Sequence, residues 1–391
     1  MPFLSNLRKP AFLKIYTIPL IQNSLGSMSN SISILFALDL GANIFQVNLI
    51  NTMRSTMSIL LLVPFGILSD RYGRRPMIIY PRAIIILGTV IRAFAMNPNH
   101  LIIASLVGGF AGGSYFPVLL SMIADISEVE ERQEGISTLF LFSSIGMVLG
   151  PSLAAFLLLL PQITLRSLYQ ITVIGQIGVL IYLAIMIKET KPQVERHGKS
   201  ESLNHIKQLI RQTSFQDMLI VAFLFNFYHS IFRTYVPIYG RVNLNLTDAQ
   251  VASFDSYRNL GVMLIRLSSA TFLTRVPITP FLLSVLGLGG LTGFLPPFAT
   301  NYISIVLILF LVGVSFGAFR ILSTTLVAKN SVPENRGVAN SLLDLSQSAG
   351  NFTKILTSSM ADNLGLVPVF ILGGATCLSS IIPTLWRKLG R

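Results

Sequence analysis

The sequence predicts an all-α membrane protein, with twelve transmembrane helices in two pseudo-symmetric six-helix halves. Three observations predict it. Of the 391 residues, 52% are hydrophobic and only 12% charged, against about 25% charged in a soluble domain, so lipid must cover most of the surface. About twelve mostly apolar runs reach the roughly 20 residues that a helix needs to cross a bilayer. The chain also matches itself at a fixed offset of 204 residues.

In order, the runs lie near residues 11–37, 44–68, 76–96, 100–124, 136–160, 167–187, 216–239, 249–272, 277–298, 302–328, 337–360 and 365–386. Spans of a β-barrel would be shorter and would alternate apolar with polar residues, which these do not. The basic stretch Met1 to Lys9 precedes a run too long for a signal peptide, which is read as the first span. The longest polar stretch, Lys188 to Gln216, falls between the sixth and seventh spans. It divides the chain into an N-terminal half (1–187), a cytoplasmic linker (188–215) and a C-terminal half (216–391).

The formal net charge is +13. Its basic residues lie between apolar runs and not on one polar domain, so nucleic acid is not an expected partner. With the N-terminus inside, 19 of the 29 Lys and Arg fall on the inner side, and only Arg92, Arg166 and Arg241 fall in or near outer loops. That asymmetry places both termini in the cytoplasm of a cell-membrane protein. Cys377 is the only cysteine, so an intrachain disulfide and a multi-Cys metal site are excluded, and His100, His197, His205 and His229 form no ligand pattern. No metal or cofactor is expected. The chain carries no nucleotide-binding loop and no paired catalytic acids in a plausible pocket, so it does not read as an enzyme.

At the offset of 204, Gln46-Val47 falls on Gln250-Val251, Arg54 on Arg258, Arg71 on Arg275, Pro76 on Pro280, Arg132 on Arg336 and Gly146 on Gly350. Parallel six-helix repeats related by an axis along the membrane normal are a known transporter architecture. Its substrate site lies near the midplane between the halves, and rocking exposes that site to each side in turn.

Between the second and third spans stands Gly66-Ile67-Leu68-Ser69-Asp70-Arg71-Tyr72-Gly73-Arg74-Arg75-Pro76. Gly66 permits close helix approach, Gly73 a tight turn, and Asp70 is an acid among three basic residues. The segment closely resembles the cytoplasmic loop motif of the major facilitator superfamily. That resemblance implies the major facilitator fold, alternating access, and a motif that latches the inner gate. Acids across the inner face, Asp125, Glu128, Glu130, Glu131 and Glu134, are candidate partners for Arg71, Arg74 and Arg75. The second copy has Thr274 where Asp70 stands. In the fifth span, Gly146-Met147-Val148-Leu149-Gly150-Pro151 is a helix-packing motif. It resembles the Gly-x-x-x-Gly-Pro signature of the drug/proton antiporters of that superfamily. Those antiporters carry an Arg in the fourth span; here Ser105 stands in its place.

A charge at mid-bilayer costs at least ~2.5–3.5 kcal/mol on insertion scales and usually faces a cavity or a partner. Arg54 and Arg258, which are repeat partners, are expected on the walls of a central cavity, where two cations suit an anionic group. Asp255, three residues before Arg258, shares its helix face. His229 and Arg233 share a face of the seventh span, Arg320 sits in the tenth, and Asp344 and Lys354 in the eleventh. Asp255 and Asp344 are the candidate proton carriers, with His229 a third; alternatively Asp344 pairs with Arg266. The expected function is secondary transport of a small organic solute by a monomer in the lipid bilayer, as efflux coupled to protons. The alternatives are an organic-anion carrier or exchanger using the intramembrane arginines, and a non-transporting receptor.

Overall fold

The computed structural model describes residues 9–61, 64, 68, 72–112, 115–128, 131–187, 189, 212–272, 276–330 and 336–386, and among them no β-strand occurs. The N-terminal helices are α1 (Pro10–Ser31), α2 (Ser33–Asp39), α3 (Ile44–Leu60), α4 (Arg74–Ala93), α5 (Pro98–Gly112), α6 (Tyr115–Ile126), α7 (Arg132–Leu157) and α8 (Leu165–Met186). There follow α9 (Thr213–Val242), α10 (Asp248–Phe272), α11 (Ile278–Gly293), α12 (Tyr302–Asn330), α13 (Arg336–Thr353), α14 (Ser358–Leu364), α15 (Leu366–Ser379) and α16 (Ile381–Trp386). Taking α1 with α2, α5 with α6, α13 with α14 and α15 with α16 as broken rods, these make the twelve spans that the hydropathy predicts. Among the described residues, six stretches are individually long and apolar enough to cross a bilayer: Arg74–Ala93, Arg132–Leu157, Leu165–Met186, Phe215–Val242, Tyr302–Val327 and Leu366–Leu385.

The chain divides into two compact units, Met1–Val194 with Thr247–Ser256, and Glu195–Leu246 with Tyr257–Arg391. In the first, α1 packs along α7, α4 along α5 and α8, and α3 along α5. Phe12, Tyr16, Leu119, Met122, Ile123, Leu139 and Leu183 form a buried cluster there. In the second unit, α9 packs along α13 and α15, and α11 along α15 and α12. Its interior is aromatic: Phe225 stacks on Phe319 at 4.0 Å between ring centroids, and Tyr228, Phe232, Tyr235 and Phe370 are fully buried.

Lipid tails are as apolar as these side chains, so burial alone does not hold membrane helices together. Close van der Waals contact and hydrogen bonds between helices do. Both units use the same small-residue contacts at the offset seen in the sequence. A Cβ on Gly109 would stand 2.6 Å from the Arg54 carbonyl oxygen, and one on Gly313 would stand 2.0 Å from that of Arg258. Gly146 lies against the Leu20 carbonyl, and its repeat partner Gly350 against that of Phe223, one residue out of register. The caps repeat as well. The Asn43 and Gln46 side chains each accept from the other's backbone N–H, at 2.8 and 3.1 Å. Thr247 and Gln250 do the same, at 3.3 and 3.0 Å. This reciprocal capping box explains why Gln46 has its twin at Gln250.

Candidate functional site

Each unit carries buried polar residues at membrane depth, and in the N-terminal unit they enclose a cavity of about 200 Å³. Six rods contribute. The polar face of α1 supplies Gln22, Asn23, Ser27, Ser29 and Asn30, and α3 supplies Arg54. From α4 come Arg82, Ile85, Gly88, Thr89 and Arg92, whose spacing of three or four makes one stripe along the helix. Tyr115 and Gln176 enter from α6 and α8. Gly88 brings α4 to within 3.0 Å of the backbone of Ala104 and Gly108 as a Cβ would meet it, so the two helices close one wall of the cavity. At 1.5 Å rise per residue, Arg82 lies ~12 Å into α4 and Arg54 ~15 Å into α3, near mid-bilayer.

Three arginines face this volume, and among the described residues that line it none is an acid. Arg54 donates through Nη1 to Asn30 Oδ1. Arg92 donates through Nη2 to Ser105 Oγ at 3.0 Å. Arg82 is 3% exposed, and its Nε and Nη2 have no hydrogen-bond partner. The Tyr115 hydroxyl likewise has none. Asn23 Nδ2 donates to Ser143 Oγ at 2.7 Å, and the Thr89 hydroxyl donates to Gln176 Oε1 at 3.1 Å, so much of the remaining polar wall is internally satisfied.

Arg54, expected on the wall of a central cavity between the halves, lines this cavity of the N-terminal unit. Arg92, expected in or near an outer loop, lies in the last turn of α4 and is 6% exposed. Its side chain lines the cavity. Arg82 and Tyr115 were not singled out at all. The signal that could have found Arg82 is its place eight residues inside an apolar span, immediately after Pro81, with no acid on the same helix.

In the second unit, Arg258 is buried and its Nη2 lies 3.4 Å from Asn259 Oδ1. The His229 ring stacks on Phe316 at 3.8 Å, and its Nε2 has no hydrogen-bond partner. His229 feels the charges of Arg258, Arg233 and Lys354. Lys354 is buried and donates to Thr234 Oγ1 at 3.3 Å, while Arg233 is exposed. Asp344 forms its ion pair with Arg320 at 2.7 Å, and Arg320 also donates to Gln347 Oε1. The alternative pairing of Asp344 with Arg266 is not the one formed, because Arg320 on the adjacent helix α12 reaches it. Asp255 is half-buried on α10, in the stretch of that helix that belongs to the first unit. Phe225 and Phe232 belong to the aromatic core.

Of the gate motif, Gly66, Asp70 and Arg71 lie outside the described residues. Gly73 has φ +102, a conformation that L side chains rarely adopt. Its lack of a side chain leaves room for Glu189, whose carboxylate accepts the backbone N–H of Arg74 at 2.8 Å and of Arg75 at 3.1 Å. The carboxylate thus satisfies the open N-terminus of α4. Arg74 pairs with Asp125 at 3.3 Å, Arg75 donates to the Ala184 carbonyl at 2.6 Å, and Glu131 is taken by Lys9 at 2.6 Å. The Glu131 carboxylate holds the exposed Lys9 ammonium above its ordinary pKa. In the packing motif, Gly146 and Gly150 press α7 onto α1: a Cβ on Gly150 would stand 2.2 Å from the Ser24 carbonyl oxygen. Pro151 is buried inside α7.

A family model of the Major Facilitator Superfamily matches residues 20–353. The chain is 29% identical over 152 residues to the Bacillibactin exporter of Bacillus subtilis (strain 168), which is 37% of this chain and 38% of that one. The shared stretch is thus well under two thirds of the exporter. It is 20% identical over 342 residues to Multidrug resistance protein 2 of the same organism, 85% of this chain and 84% of the relative. Among solved structures, a POT family transporter in complex with 5-aminolevulinic acid has the same fold. It aligns with a TM-score of 0.82 at 13% identity, over 97% of this chain and 96% of that one.

Proposed function

The chain belongs to the Major Facilitator Superfamily, and we propose that within it the protein exports a small organic solute across the cell membrane by alternating access, in exchange for protons. It is a multi-pass membrane protein that transports a small molecule. The observation that carries the reading is the arginine-lined cavity at mid-span depth, since charges held inside a bilayer mark a solute or ion path. Export is supported by the relatives named an exporter and a multidrug resistance protein. Proton exchange draws on the half-buried acids Asp255 and Asp344 and on His229. We place both termini in the cytoplasm, and a single chain suffices for the mechanism.

The test is uptake of a panel of labelled organic solutes into inverted vesicles containing the purified protein, with and without an inside-acid pH gradient. Accumulation above protein-free vesicles that collapses with a protonophore is expected. Accumulation indifferent to the gradient for every solute removes proton antiport, and none for any solute removes transport.

A second reading is an organic-anion exchanger that uses Arg54 and Arg258 and moves no proton. The Asp344–Arg320 pair favours it, because at 2.7 Å the carboxylate is already engaged by a guanidinium as a structural partner. Counterflow of one labelled anion against another, without any pH gradient, distinguishes it.

A further inference from the structure

Among the described residues, one edge of a guanidinium in the N-terminal cavity has no hydrogen-bond partner. Arg82 is 3% exposed, lines the cavity, and leaves Nε and Nη2 without hydrogen-bond partners. These two N–H groups form one edge of the guanidinium plane, the edge that matches two oxygens of a carboxylate or phosphate at once. Tyr115 lies within electrostatic reach of Arg82 and brings a hydroxyl that also has no hydrogen-bond partner. Buried donors are ordinarily satisfied, and a buried cation is tolerated only when paired. Here three donors lining one cavity lack acceptors, and none of its described lining residues is an acid.

We infer that Arg82 and Tyr115 form an oxyanion seat, which binds the carboxylate, sulfonate or phosphate group of the cargo from inside the N-terminal unit. The inference deepens the transport reading and names its substrate class: an organic anion. Arg54 and Arg92 are engaged with the neutral side chains of Asn30 and Ser105, so their charges add attraction while Arg82 makes the bidentate contact. Sites that take a whole drug-sized ligand run to about 300–1,000 Å³. A cavity of about 200 Å³ therefore seats the anionic end of a cargo, not a bulky molecule entire.

The experiment is thermal unfolding of the full chain, purified in a neutral detergent, against four probes: salicylate, inorganic phosphate, dihexanoyl phosphatidylglycerol and the cation tetraphenylphosphonium. A saturable rise in Tm with salicylate or phosphate is expected, because a ligand that binds the folded state raises it. Arg82→Met removes that rise without lowering the Tm of the ligand-free protein, because methionine fills the space without an unpaired charge. Arg82→Lys keeps the charge but loses the fork, and weakens apparent affinity about tenfold or more. Tyr115→Phe deletes one hydroxyl and weakens it about three- to tenfold; it serves if the Arg82 variants do not fold. No rise with any oxyanion, a rise that survives Arg82→Met, or a loss of ligand-free stability in Arg82→Met overturns the seat. A rise confined to the phosphatidylglycerol places the group on a lipid and overturns the cargo assignment. Binding is read without flux. Intact proton-driven flux with no anion binding refutes the seat alone, and anion binding with no flux refutes the transport reading alone.

Discussion

Arg92 of α4 donates to Ser105 of α5 at 3.0 Å. The fourth span, where the antiporters that this chain resembles carry an arginine, holds a serine, and the third span delivers a guanidinium to it. Charge in a cavity acts through its position, not through the helix that supplies it. Arg92→Ser is therefore expected to reduce solute flux in vesicles at least tenfold, and the double variant Arg92→Ser/Ser105→Arg to restore part of it. Ser105→Arg alone sets two cations together and lowers Tm. Flux in the double variant no better than in Arg92→Ser would show that the origin of the guanidinium matters.

Gly150 packs α7 on α1 with no space for a side chain, its Cβ position 2.2 Å from the Ser24 carbonyl oxygen. Gly150→Ala forces the helices apart, at a cost of ~1–3 kcal/mol, the usual range for overpacking. Gly178 on α8 has nothing within 4 Å of its Cβ position, so Gly178→Ala is neutral or stabilising by up to ~1 kcal/mol. Equal Tm for the two variants in detergent would contradict this packing.

Gly109 and Gly313 repeat one contact in the two units. Gly109→Ala and Gly313→Ala are each expected to destabilise the unit that holds them and to move the adjacent arginine, Arg54 or Arg258, through its backbone. Limited proteolysis that reports local opening in only the altered unit checks this. Resistance equal to that of the unaltered chain in both would count against the shared design.

Gly73→Ala places a side chain in a backbone region close to glycine-only, a strain of order 1–3 kcal/mol, and drives a Cβ to 2.5 Å from Glu189 Oε2. The carboxylate must leave the N-terminus of α4. Glu189→Gln keeps the shape and loses the charge, so it is expected to be the milder change, by Tm and by flux.

Asp344 and Arg320 are part-exposed, their side chains 45% and 34% accessible, so their coupling is expected to be at most ~1 kcal/mol in a double-mutant cycle. If Asp344 also carries protons, Arg320→Gln/Asp344→Asn regains stability but not proton-driven flux. Recovery of both assigns the pair a structural role only.

The sequence by itself determined the twelve spans, the duplication and the packing glycines. Each is written in local pattern: run length against bilayer thickness, a constant offset, a spacing of four. Caps such as Asn43 with Gln46 and Thr247 with Gln250 are also local, which is why the repeat was readable there. Tertiary structure alone decided which charges meet. Arg92, at the outer end of α4, lines the cavity and meets Ser105; Asp344 selects Arg320 over Arg266; Glu189 caps α4 from far along the chain. Arg82 and Tyr115 stand 33 positions apart, and no helical period relates them. A long side chain reaches across several neighbouring helices, so its partner is chosen by the packing of rods, information that no single rod contains.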